Sequence, residues 1–316
     1  MITEYKEKSI IRHVGFSTHA QAPCILKAVE TNLFEYANIH FDYIGSYTAS
    51  GSGPAGGNGD VIEAMAARDM GVFIISPYDK GGKLYAPSTK FVELCAPDLD
   101  PIAFNSLWLW HHAPAAHTLV VGAARPSDFD QAVAATKLFD TQEGRDKTAA
   151  VAQRLSQASI DALGFDVSSA GDHAWAVGLP TCFDTSTGVF VTHLVWLRHI
   201  TKAWGMLEFA RDRYSNLAGN LKDWDDEKTF EENTQGWGFV PGCPYRPTLA
   251  EVEATITADL ARLQCPTPAA DVLTYLKEAH AWLDKETGVA PDDIAEIGRR
   301  AYNLQPSLPW PERKRS

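Results

Sequence analysis

Six side chains with acid–base or hydrogen-bonding chemistry, Ser17, Thr18, His19, Ser76, Lys80 and Arg125, each stand just beyond a short apolar, β-branched run. A parallel α/β sheet turns the residues at its strand ends towards a ligand. Ser17 and Thr18 can equally cap the helix that follows them. His40 lies inside an apolar run and reads as a packed core or interface histidine ahead of a ligand contact. The spacing carries no metal motif. His193 and His199 are six apart, whereas two ligands on one helix face need i, i+4. His111 and His112 close the segment WLWHH, where a helix C-terminus favours a cation. Cys24, Cys95, Cys182, Cys243 and Cys265 include no C-x-x-C pair, which fits reduced thiols rather than a disulfide framework, a zinc site or an iron–sulfur site. The acidic stretch Asp223-Trp224-Asp225-Asp226-Glu227 reads as a solvated loop.

The elements that must position these residues alternate. Strands are expected at Ile10–Phe16, Ile39–Ile44, Val72–Ile75 and Thr118–Val121. Each precedes a helical pattern: Pro23–Phe34, Asp60–Asp69 capped by Asp60, Pro101–His112, and Ser127–Leu138 capped by Ser127. That alternation is the signature of a parallel sheet. Residues 45–59, GSYTASGSGPAGGNG, lack the Gly-Lys-Ser/Thr ending of a phosphate cradle and read as a flexible loop. After residue 140 the strand rhythm stops. Helices are expected at Lys147–Ala162, Phe190–Leu217, Leu249–Leu263, Ala269–Glu286 and Asp292–Tyr302, with Trp196, Trp204, Trp237 and Trp282 as core anchors. The chain therefore divides into an α/β part, residues 1–140, and an all-α extension, residues 141–316.

With 316 residues and 45% hydrophobic content the chain can bury one or two cores. A net charge of -12 argues against nucleic-acid and acidic-membrane partners, which need a basic face. The basic tail Arg313-Lys314-Arg315 is a solvated end. No run approaches a membrane span and the opening has no apolar signal core, so the expected location is the cytoplasm.

Three of the strand-end segments carry a resemblance. IRHVGFSTH at 11–19, SPYDKGGKL at 76–84 and LVVGAARPSDFDQAVAA at 119–135 resemble, in this order and spacing, the fifth, seventh and eighth strand segments of the aldo/keto reductases. The resemblance implies a partial TIM (β/α)₈ barrel, strands five to eight, and a cofactor, NAD or NADP, lying across the strand ends. Residue by residue, Ser17 matches the family serine at the nicotinamide carboxamide and Thr18 stands for the neighbouring asparagine. His40 stands for a glutamine, Ile75 for an aromatic ring, and Ser76 is retained. Gly122, Ala123, Arg125 and Gln131 fall in the segment that holds the adenosine end. Asp128 falls where NADP-binding members place an arginine, so the resemblance implies a preference for NAD.

The extension resembles that of the subgroup with a ferredoxin-like C-terminal domain. GLPTCFDTSTGV at 178–189 and GCPYRPT at 242–248 match its two cluster-binding regions but keep one cysteine each, Cys182 and Cys243. A cubane needs four thiolates, so no iron–sulfur cluster is expected. The family's catalytic Asp, Tyr, Lys and His come from earlier strands, so the chain is expected to be a truncated piece with no catalytic residue of its own. Its barrel half then needs the N-terminal half, a partner chain or self-association. A small carbonyl or alcohol would be the substrate. A non-catalytic subunit that kept the scaffold is the alternative.

Overall fold

A computed structural model describes residues 2–18, 20, 22–45, 57–113, 115–123, 126–181, 184–220 and 250–300. Of the residues singled out above, His19, Arg125, Cys182, the acidic stretch 223–227, Trp237, Cys243 and the basic tail lie outside them, as do residues 46–56 of the glycine-rich segment.

A four-stranded parallel sheet runs β1 (Gly15–Ser17), β2 (Tyr36–Ile39), β3 (Gly71–Ile75) and β4 (Ala116–Val120), in sequence order. Helix α1 (Ile2–Glu7) precedes β1, and α2 (Ala22–Glu30) and α3 (Gly57–Ala66) link the first three strands. Helices α4 (Thr89–Cys95) and α5 (Pro101–His112) lead to β4, and α6 (Asp130–Thr136) follows it. One register row, Ser17–Asn38–Phe73–Thr118, crosses the sheet, and the next buried row is Ile39–Ile74–Leu119. At the irregularity between β3 and β4, the His117 ring takes the Val72 amide that the ladder would otherwise use, at 3.2 Å.

The two faces of the sheet differ. Ala37, Ile39, Val72 and Ile74 are fully buried against α2, α3 and α5, with Ile25, Val29, Val61, Met65 and Ile102 in the same core. On the other face Tyr36, Asn38, Phe73 and Ile75 are half-buried, Ser17 and Thr118 are exposed, and Val120 is 43% exposed. Parallel sheets normally bury both faces.

Several element ends depart from the sequence reading. The first strand starts at Gly15 because Ile10 to Val14 follow a left-handed turn at Ser9 and the Val14 amide bonds the Glu35 carboxylate at 2.6 Å instead of a ladder partner. The second spans Tyr36–Ile39 and not Ile39–Ile44. Residues 42–44 are buried because they lie beneath the extension: the Ser169 amide donates to the Tyr43 carbonyl and the Trp196 indole to the Ile44 carbonyl, at 2.7 and 2.9 Å. Asp60 sits inside the first turn of α3 and is not its cap. Ser127 belongs to a 3₁₀ turn, Pro126–Phe129, so α6 opens at Asp130 without a side-chain cap. The periodicity missed α4. There the Ser88 hydroxyl accepts from the Phe91 amide and donates to the Trp204 carbonyl, at 3.1 and 2.6 Å. Helix α5 has the expected bounds, fixed by Asp100, whose carboxylate accepts from the Ile102 and Ala103 amides, and by Pro101 at its first position.

From residue 141 the described elements are helical apart from single bridges: α7 (Gln142–Leu163), α8 (Val191–Trp204), α9 (Leu207–Asn220), α10 (Ala250–Arg262), α11 (Ala269–Leu283) and α12 (Asp292–Ile297). The single helix expected over Phe190–Leu217 is broken at Gly205, whose φ of +69° ends α8 in the left-handed conformation. One hydrophobic cluster joins the helical side of the sheet to α7, α8, α9 and α11. Trp196, Trp204 and Trp282 belong to that cluster, as anchors should, and the Trp204 indole donates to the Leu155 carbonyl at 2.9 Å. No helix among the described residues is long and apolar enough to cross a membrane.

Candidate functional site

Because the strands are parallel, Ser17, Thr18, His40, Ser76 and Gly122 all emerge at one end of the sheet. Ser17 is in register with Phe73 across β2, so Ser76 stands two strand spacings over and three residues further along, roughly 14 Å from Ser17. Ser17 is exposed and Thr18 half-buried. The Thr18 hydroxyl accepts from the Ala20 amide at 2.9 Å, so it braces the turn that leads towards α2. Ser76 adopts φ +53°, turning the chain sharply off β3, with its amide donating to the Val120 carbonyl at 3.1 Å and its carbonyl accepting from the Lys80 amide at 3.0 Å. Gly122 accepts from the Tyr85 hydroxyl at 2.8 Å, and among the described residues nothing lies within 4 Å of where a Cβ would project. Ala123 is exposed and Gln131 is half-buried on the first turn of α6.

Beside these hydroxyls sits a cationic cluster. The Lys80 ammonium approaches His40 Nε2 at 3.0 Å. An ammonium only donates, so Nε2 accepts and the ring proton resides on Nδ1. His40 is 2% exposed; the structure thus pairs it with Lys80 rather than presenting Nε2 to solvent. Arg213, on α9, is largely buried, lies over the Phe209 ring at 5.5 Å, and has its Nε without an acceptor among the described residues. Its carboxylate neighbour, Asp79, is 3.7 Å away and mostly exposed, a pairing that neutralises little. Burial, and then the Arg213 charge, lower the Lys80 pKa, while Asp79 and Asp42 hold it up. Asp42 is buried beside them, and burial pushes its pKa well up against the opposing Asn105 hydrogen bond and Lys80 charge. A carboxyl group driven towards its neutral form leaves Lys80 and Arg213 short of counter-charge, so this end of the sheet suits an anion.

Lys80 was visible as a strand-end cation. Asp42 and Arg213 were not: Asp42 lies in a run that reads as strand, and Arg213 sits in a helix of the extension with no motif around it. Asp128 is 1% exposed, so the charge expected to repel a 2′-phosphate is turned into the protein. The tyrosines near the strand ends are not activated: burial, opposed by the Ser106 hydrogen bond, pushes Tyr78 up to about 12, and burial with the nearby Tyr78 and Asp128 pushes Tyr85 up to about 12.

Elsewhere the histidines pack. His199 is buried and accepts from the Arg198 guanidinium at 3.1 Å, and burial followed by the Arg198 and Lys202 charges lowers its pKa well below the ordinary value. No cluster of three or more metal-ligating side chains occurs among the described residues. Cys24, Cys95 and Cys265 are free thiols, and burial pushes the Cys95 thiol up. No protein-family model matches the chain, and neither does any curated protein or solved structure.

Proposed function

We propose that residues 1–140 form half of a (β/α)₈ barrel of aldo/keto-reductase type, with residues 141–316 as a helical extension. The whole is then the cofactor-binding part of an oxidoreductase using NAD or NADP. The observation that carries this reading is the under-neutralised pair Lys80 and Arg213 beside Ser76 at the carboxyl ends of the strands. A dinucleotide brings a diphosphate and a carboxamide, and the residues present fit both. Lys80 and Arg213 would hold the diphosphate by charge. Ser17 and Thr18 would hold the carboxamide with their hydroxyls. Gly122 leaves the backbone open beside the adenosine end. When bound, the nicotinamide would supply a hydride to a carbonyl substrate or accept one from an alcohol. On this reading the proton that completes the exchange is supplied by the other barrel half, and Tyr78 and Tyr85, both pushed up to about 12, are poor general acids for it. The alternative is a non-catalytic subunit that keeps the scaffold.

Titration of the intact chain with NADH and NADPH, followed by nucleotide fluorescence, tests the proposal. Saturable NADH binding is expected, weakened about tenfold or more by Lys80→Gln, and steeply weakened by salt. Because Asp128 is turned inward, NADPH is expected to bind within a few-fold of NADH. Absence of binding by either nucleotide would sink the oxidoreductase reading and leave the non-catalytic one.

A further inference from the structure

Lys80 brings a second capability to the strand-end cluster besides its charge, a nucleophilic amine. Its backbone amide closes the sharp turn at Ser76. Gly81 seats it from the other side, since an added Cβ there would collide with the Pro77 carbonyl oxygen and the Asp42 carboxyl group. Lys80 is thus held half-buried beyond the carboxyl end of β3, where a parallel sheet meets its ligands.

The surroundings favour the neutral amine. Its nitrogen lies 3.0 Å from His40 Nε2, an acceptor placed to take a proton. Among the described residues the Lys80 ammonium forms no ion pair, whereas Lys83, three residues on, pairs with Asp212. Arg213 adds a second positive charge. Of the two carboxyl groups that oppose it, Asp42 is driven towards its neutral form by burial and Asp79 is mostly exposed. A lysine withdrawn from water beside another cation is activated as a nucleophile; an ordinary lysine keeps only about one amine in 2,500 unprotonated at pH 7. Arg213 also points to the kind of substrate. Among the described residues its guanidinium has one carboxylate partner, Asp79 at 3.7 Å, so it can hold an anionic group beside the reacting carbon.

We propose that Lys80 forms a Schiff base with a small 2-oxo acid, His40 moving the protons and Arg213 holding the carboxylate. The Lys80 nitrogen bonds to the ketone carbon, and the carbon–oxygen bond breaks with loss of water. Of the three ammonium protons, two leave with that oxygen, carried over by His40 Nε2, and one stays on the iminium nitrogen. Nothing is oxidised or reduced. The inference uses the strand-end cluster without resting on the nicotinamide reading; a bound diphosphate would engage the ammonium, so the two ligands exclude each other.

Pyruvate is the probe, incubated with the intact chain at pH 7 without nucleotide. Cyanoborohydride traps the imine as a secondary amine, which peptide mass mapping locates. Lys80 is expected to be modified at least about tenfold faster than Lys83 or Lys90, both also half-buried. That preference should shrink several-fold with acetone, a methyl ketone without the carboxylate. Asp79→Asn, at an exposed position, removes a charge that favours the ammonium and should shift the pH profile of Lys80 trapping to lower pH. Arg213→Met should shift it to higher pH. The proposal is overturned if Lys80 reacts no faster than Lys83 and Lys90, if acetone shows an equal preference, or if Asp79→Asn leaves the profile unmoved. Because nucleotide is absent, failure of the trapping leaves the NADH titration as it stands, and failure of NADH to bind leaves the Schiff base.

Discussion

Asp42 makes the physics of the strand-end cluster measurable at a single residue. Its carboxyl group is buried and its folded pKa stands well above that of an unfolded aspartate. The folded state therefore holds a proton that the unfolded chain releases. The stabilisation is fully present below about pH 3.9 and is lost as pH rises towards the folded value. Asp42→Asn removes that dependence while preserving shape. Urea midpoints of the two proteins should therefore diverge from pH 5 to pH 8, the variant gaining on the unaltered protein as pH rises. A constant difference would show that Asp42 is ionised in the fold. The strand-end position of Ser17, Thr18, Ser76 and Lys80 was legible, because an apolar run followed by a helical pattern fixes where a strand must release the chain. Arg213 was not legible: it is over 120 residues from Lys80 in the chain, and only tertiary packing of the extension brings the two together. The pairing of His40 with Lys80 was hidden for the same reason.

Among the elements, helices with strong end signals were read well and buried irregular segments were not. Asp100 followed by Pro101 fixed α5. The run Ile39–Ile44 reads as a strand because burial under a helical layer selects the same residue types as burial in a sheet. The break at Gly205 was masked by continuous helical periodicity on either side of it. That glycine is also where an element-scale prediction belongs. Its φ is +69°, and an added Cβ would collide with the Ile297 carbonyl oxygen. Gly205→Ala should cost about 1–3 kcal/mol, read as a lowered urea midpoint with an unchanged slope. A variant as stable as the parent would mean that α12 yields at no cost.

At the scale of the whole molecule, the uncovered sheet face is what the resemblance to half a barrel implies and the fold leaves unanswered. β1 and β4 are each paired on one side only among the described residues, and the face carrying Phe73, Ile75 and Val120 is half-open to solvent. Open edges and apolar faces recruit partners. Sedimentation velocity over a range of concentrations should reveal species heavier than the 34.6 kDa monomer, and Val120→Lys should shift them towards the monomer. A monomer at every concentration would show that this face tolerates water, and would weaken the half-barrel reading with it.

The turn at Gly205 also sets an angular phase. It fixes where α9 begins, and Arg213 lies eight residues further on. An α-helix advances about 100° per residue, so one residue inserted or deleted between Gly205 and Arg213 would swing the guanidinium to another side of the helix, away from Lys80. The extension thereby behaves as an indexed arm: single substitutions along the exposed side of α9 are tolerable, whereas a change of length by one residue would disconnect it from the strand ends and turn the buried Tyr214 and Leu217 out of the core.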